Sequence, residues 1–226
     1  LDNLVRIPTG VRGLDDLVEG GFPYPAVILV AGSAGTGKTT MALQFLSKGA
    51  ENGEVGLYFT TLSEPTQWML RFASRFQFLR KEDFGKLIHY VDMGHMVRRA
   101  SAEDLISFID DKIAQYMPQR VVIDPITVVG NFLGEEYRAF LYDLTTDLKN
   151  WQATTVLTGE VAPGQMYPPE VAYAADGIIL LMMEEESDAR RKYLEVLKMR
   201  GTNHVTGKLP IAITLEEGIV VLKASF

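Results

Sequence analysis

Gly32-Ser33-Ala34-Gly35-Thr36-Gly37-Lys38-Thr39 decides how the rest of this chain is read. The segment fills G-x-x-x-x-G-K-[ST] at every position, and both flanks fit: Ala26–Ala31 (AVILVA) reads as a buried strand and Lys38–Glu51 as a helix. The spacing has a physical reason. Glycines let backbone amides wrap a phosphate at a helix N-terminus, where the helix dipole also favours an anion. Lys38 is placed for the β and γ oxygens of a nucleotide, and Thr39 offers its hydroxyl to Mg²⁺. The expected nucleotide-binding set is therefore Gly32, Ala34, Gly35, Thr36, Gly37, Lys38, Thr39 and Thr40.

Outward from this loop, the helix carries Met41, Leu43, Phe45 and Leu46 for packing on a sheet, and Asn52-Gly53 closes it. The same order then repeats: strand Val55–Thr61 and helix Pro65–Phe78, strand Leu87–Asp92 and helix Ala102–Met117, strand Arg120–Asp124 and helix Glu135–Trp151, strand Thr154–Gly159 and a loop. Short β-branched runs alternating with helices predict a doubly wound α/β fold with a mainly parallel sheet flanked by helices. From Gly177 the strands follow one another directly: Ile178–Met183, Lys192–Met199, Ile211–Thr214 and Ile219–Leu222. These are expected as antiparallel strands extending the edge of the sheet. With no internal repeat or Pro/Ser-rich linker, residues 1–226 read as one domain.

Composition narrows the function classes. The chain is 47% hydrophobic and 23% charged, which suits a packed domain. Its net charge of -7 disfavours indiscriminate binding to a phosphate backbone. The absence of cysteine removes disulfides, thiolate nucleophiles and cysteine-built zinc sites. No apolar run approaches the ~20 residues of a membrane span, and no segment reads as a signal peptide. The chain starts at Leu1, so it reads as trimmed, with a cytoplasmic location as the expectation.

A nucleotide site of this kind also needs a carboxylate at the end of a neighbouring strand to hold the metal's water shell. Val121-Val122-Ile123-Asp124 supplies one, and Asp124 joins Thr39 as the candidate metal pair. Taken alone, an Asp at this place serves equally as a turn residue before Pro125.

With the loop and Asp124 placed, the chain resembles the KaiC-like ATPases of the RecA superfamily, and specifically their single-domain members. The residues that carry this are Thr9-Gly10-Val11-Arg12-Gly13-Leu14-Asp15-Asp16-Leu17 with Gly20-Gly21, the phosphate loop, Ala50-Glu51-Asn52-Gly53-Glu54, and Lys198-Met199-Arg200-Gly201-Thr202 with His204. The resemblance implies a RecA-like core, ATP as nucleotide, Mg²⁺ as metal, and a homo-oligomeric ring, such as a hexamer, with active sites between subunits. It also implies that a glutamate after the second strand polarises the attacking water. The family usually has two adjacent glutamates there. This chain has Ser63 in the first position and keeps only Glu64, which becomes the candidate catalytic carboxylate, while a helix-capping role is its alternative. By the same resemblance Lys198 and Arg200 reach a neighbour's γ-phosphate as finger-type cations. Thr202, His204 and Thr214 match positions near that neighbour's nucleotide, Arg75 lies where the base would stack, and Thr158 matches a γ-phosphate sensor.

Recombinases of this superfamily grip DNA through two loops. Here residues 124–137 and 150–189 contain no Lys or Arg, and Glu184-Glu185-Glu186 is acidic. DNA is therefore not expected as the main substrate. The expected activity is slow hydrolysis of ATP to ADP and phosphate, with nucleotide state governing assembly and contacts with a protein partner. A DNA-repair accessory ATPase and an ATP-binding scaffold silenced by Ser63 are the two alternatives.

Overall fold

The computed structural model describes residues 4–186 and 189–222. The leader forms a small antiparallel ribbon, β1 (Arg6–Ile7) with β2 (Phe22–Pro23). The core then runs β3 (Val27–Gly32), α1 (Lys38–Glu51), β4 (Gly56–Thr60), α2 (Thr66–Ala73), β5 (Ile88–Asp92), α3 (Gly94–Val97), α4 (Ala102–Tyr116), β6 (Arg120–Asp124), α5 (Thr127–Leu133), α6 (Tyr137–Asn150) and β7 (Thr154–Glu160). It continues with α7 (Pro169–Ala174), β8 (Gly177–Glu186), β9 (Ala189–Met199), β10 (Leu209–Thr214) and β11 (Gly218–Val221).

Nine of these strands form one sheet in the order β11-β10-β9-β8-β3-β7-β6-β4-β5. Its centre is parallel and its β9–β11 end antiparallel. Period-2 alternation divides the core between two faces. Ile28, Val30, Tyr58, Val122 and Val156 pack with α1 and α2, whereas Val27, Leu29, Ala31, Leu57, Phe59, Val121, Ile123 and Leu157 pack with α4 to α7. This is the doubly wound α/β architecture read from the sequence. Among the described residues no helix is long and apolar enough to cross a membrane.

Four local expectations are corrected. The strand at Ile178 is not antiparallel to its inner neighbour: β8 runs parallel to β3, with Gly177 opposite Ile28 and Leu181 opposite Gly32. The reason is α7, which lies in the stretch expected as loop and serves as the crossover that returns the chain in the same direction. The helix expected over 65–78 stops at Ala73, because Gln77 N–H donates to the Leu215 carbonyl at 2.8 Å and draws the chain away to β10. A helix missing from the sequence reading, α5, starts two residues after Pro125 and buries Val129.

The parallel strands all deliver their C-terminal ends to one edge of the sheet, where α/β folds place ligands. Register sets the neighbours there: Val30 lies opposite Thr158, Gly32 opposite Glu160, and Thr60 opposite Asp124.

Candidate functional site

The loop between β3 and α1 is held in a cradle by its own residues. Thr36 Oγ1 donates to the Ser33 carbonyl at 2.8 Å, and Gly37 caps α1 with a φ of +111°, a conformation that side-chain-bearing residues rarely adopt. Lys38 is 6% exposed, and its Nζ donates to the carbonyls of Gly32 and Ser33, each at 2.9 Å. A third partner is the Glu160 carboxylate, also at 2.9 Å. The ammonium is thus fixed at the loop mouth and fully committed to acceptors.

Asp124 is the hub of the site. It is buried, and its carboxylate accepts from Thr39 Oγ1 at 2.7 Å, from the Tyr58 hydroxyl and from Thr158 Oγ1. The first turn of α1, β4, β6 and β7 therefore meet on one carboxylate. Burial, and next the Asp124 charge, push the Tyr58 phenol well above its usual value, so Tyr58 stays a proton donor. Three hydroxyls thus converge on Asp124 at the strand end before Pro125. Thr39 and Asp124 together offer hard oxygen donors of the kind Mg²⁺ takes.

The sequence departure at Ser63 acquires a shape. Ser63 has a φ of +54°, and its Oγ is buried without a partner. The start of α3 packs directly on it: a Cβ added to Gly94 would fall 2.1 Å from Ser63 N. Position 63 thus faces α3, while the carboxyl that senses Asp124 belongs to Glu64. Its pKa is raised, first by burial and then by the charges of Asp124 and Asp92, and Tyr90 OH fixes the Glu64 carbonyl at 3.0 Å. A raised folded pKa means that this carboxyl's contribution to stability is full below the unfolded value of about 4.3 and is lost as pH rises through the folded pKa. Glu64→Gln should therefore raise the melting temperature at pH 7, by no more than about 3 °C for so accessible a group, and the gain should vanish near pH 4. Thermal melts at the two pH values check this.

The remaining candidates fall into two groups at opposite ends of the sheet. Arg75 lines a cavity of about 610 Å³ with Trp68, Phe72, Phe76 and Leu215. Thr214 accepts from Glu217 N–H at 3.1 Å in the adjoining β10–β11 turn. Ile213 lies against the chain's own loop, since a Cβ on Gly37 would meet its Cδ1 at 2.8 Å. Thr214 therefore sits at the same end of the sheet as the chain's own phosphate loop. β10 climbs back towards the loop after the chain has turned at the far end.

Lys198, Arg200, Thr202 and His204 sit at that far end. Lys198 Nζ donates to the Ala175 carbonyl at 2.6 Å, Arg200 pairs with Asp176 at 3.2 Å, and Thr202 Oγ1 accepts from Arg6 at 2.6 Å. His204 Nδ1 lies 3.3 Å from the Val205 carbonyl. Met199 is opposite Gly177, which is opposite Ile28, four residues before Gly32. At ~3.3 Å per residue the pair lies about 13 Å down the sheet from the start of the loop, beyond the reach of either side chain. Lys198 and Arg200 instead share an open cavity of about 780 Å³ with Lys149, Tyr142 and Tyr173.

Three residues of the loop's surroundings were not singled out from sequence. Tyr58 reads as one more apolar residue of a strand, and only its partner Asp124 reveals it. Glu160 reaches Lys38 because β7 adjoins β3, a pairing of strands far apart in the chain. Lys192 Nζ donates to the Gly35 carbonyl at 2.8 Å from the β8–β9 hairpin.

Comparison with known proteins identifies the family to which this fold belongs. The family model described as KaiC ATPase matches residues 7–225. The circadian clock oscillator protein KaiC of Prochlorococcus marinus is 34% identical over 96% of this chain, and the chain spans 45% of that relative's length. A UPF0273 protein of Thermotoga maritima is 29% identical, covering 96% of this chain and 95% of its own. Among solved structures, the crystal structure of a KaiC-like protein from the archaeon Pyrococcus horikoshii OT3 superposes with a TM-score of 0.86 at 34% identity, over 98% of this chain and 100% of that one. A phosphate loop on a RecA-like sheet, matched over nearly the whole chain by these relatives, makes the chain a member of the KaiC ATPase family.

Proposed function

We propose that residues 1–226 act as one ATPase unit that binds ATP with Mg²⁺ and hydrolyses it slowly, and that each site is completed by a neighbouring copy. The observation that carries this reading is the convergence of Lys38, Thr39 and Thr158 on the phosphate loop and Asp124. Thr39 and Asp124 would hold Mg²⁺, which when bound supplies neutralisation of charge on the terminal phosphates. Lys38 binds the same phosphates, the loop amides orient them, and Glu64 positions a water. Arg75 and Thr214 border the space for the base.

The separation of Lys198 and Arg200 from their own loop supports a role in trans, with Thr202 and His204 beside them. Repeated head to tail, such a contact closes into a ring. The acidic, cysteine-free composition suits a cytoplasmic protein whose nucleotide state governs its assembly and its contacts with a protein partner.

Activity that needs a neighbour must depend on protein concentration. Turnover per subunit should rise at least about tenfold across a dilution series spanning the monomer-to-oligomer transition followed by light scattering. A flat profile would remove the shared site. Ser63 favours a second reading, an ATP-binding scaffold without hydrolysis, because the buried Oγ at that position offers no carboxylate. It predicts ATP binding with no phosphate release and no effect of Glu64→Gln. DNA added to the same assay should leave turnover unchanged, since the stretches 124–137 and 150–189 lack cations.

A further inference from the structure

Glu160 does not fit a simple ATP-binding loop, because it puts a carboxylate where a phosphate is to be received. It ends β7 directly opposite Gly32, so its side chain comes from the adjacent strand over the loop mouth. Its Oε1 lies 2.9 Å from Lys38 Nζ, and with the carbonyls of Gly32 and Ser33 it takes up all three protons of the ammonium. The two partners are buried very differently: Lys38 is 6% exposed and Glu160 48%. The cation is fixed, whereas the carboxylate has room to leave.

The structure also offers it somewhere to go. Glu160 N–H donates to Thr127 Oγ1 at 3.1 Å, which anchors the main chain while the side chain turns. Beside it lies an open cavity of about 480 Å³ lined by Glu160, Thr127, Tyr137, Arg138 and Gln165. Arg138 and Gln165 provide donors there for a displaced carboxylate.

We propose that Glu160 discriminates between nucleotides: its carboxylate competes with the terminal phosphate of a nucleoside triphosphate for Lys38, and yields to it by turning into the Arg138 cavity. The inference rests on the reading of the loop as a nucleotide site and adds a selectivity to it. A diphosphate ends at the phosphate that the loop amides hold and demands less of Lys38. Glu160 therefore weakens triphosphate binding more than diphosphate binding.

The test is equilibrium binding of Mg-ATP and Mg-ADP, by calorimetry, to the parent chain, Glu160→Gln, Lys38→Ala and the double variant, with a thermal melt of each. Glu160→Gln should tighten ATP about threefold to fivefold while moving ADP less than about twofold, the upper range expected for a half-exposed ion pair. In the Lys38→Ala background the same substitution should leave the ATP to ADP ratio unchanged. Equal shifts for both nucleotides, or none, with only a lower melting temperature would overturn the proposal and make the pair structural. A parent chain that binds neither nucleotide would instead refute the nucleotide site itself, and Glu160 would fall with it.

Discussion

Lys38→Ala is expected to lower steady-state phosphate release by about 10²–10³-fold, the usual loss when one donor aimed at developing charge is removed. The reason lies in how the ammonium is held. Two loop carbonyls at 2.9 Å aim it, and its near-complete burial keeps water from screening it. Alanine keeps the first turn of α1 helical, so the folded state should survive, and a melting temperature within about 5 °C of the parent would confirm that the loss is chemical. Turnover within about threefold of the parent would mean that phosphate release is not catalysed at this loop.

The largest effect on stability is expected from Arg120→Met. Arg120 opens β6, is fully buried, and joins three parts of the chain. Its Nη1 donates to the Pro8 carbonyl at 2.8 Å and the Phe45 carbonyl at 2.9 Å, its Nε donates to Glu54, and its guanidinium lies 4.7 Å from the Phe45 ring centroid. Burial lowers its pKa and the Glu54 carboxylate opposes that shift, so the pair is held by geometry rather than by water. Methionine fills most of the volume but strands Glu54 and two carbonyls. The expected loss is about 3–5 kcal/mol, or roughly 6–20 °C in melting temperature for a chain of this size. Adding Glu54→Leu should restore more than half of it, because removing both charges is far less costly than removing one. A single variant as stable as the parent would show that the leader is not tied to the core through Arg120.

Legibility followed the range of the interactions. The β3 strand, the phosphate loop and α1 are local, and the sequence pattern alone places them within a residue of their observed bounds. Asp124 was readable as a carboxylate ending a strand, but its three hydroxyl partners come from α1, β4 and β7. No spacing rule links residues 39, 58, 124 and 158; the sheet order does. Glu160 escaped attention for the same reason, since its partner Lys38 depends on β7 lying beside β3. The direction of β8 is not legible in its own residues, because a strand does not say which way its partner runs; the short α7 crossover decides it. Thr202 and Thr214 are close in sequence, yet β10 runs antiparallel to β9 and carries Thr214 to the opposite end of the sheet. In the other direction, sheet register sharpened what resemblance alone had suggested: Lys198 and Arg200 lie too far from their own loop to serve it.

Two complementary losses distinguish a site shared between copies from one built by a single chain. Lys38→Ala keeps the far-end cations but loses the loop lysine, and Lys198→Ala with Arg200→Ala keeps the loop but loses the cations. If a site is shared by two copies, each preparation alone should be silent, and an equimolar mixture should regain phosphate release at up to about a quarter of the parent's rate, the share of head-to-tail contacts that pair an intact loop with intact cations. A mixture as silent as its components, with light scattering showing that the two variants do co-assemble, would contradict the shared site.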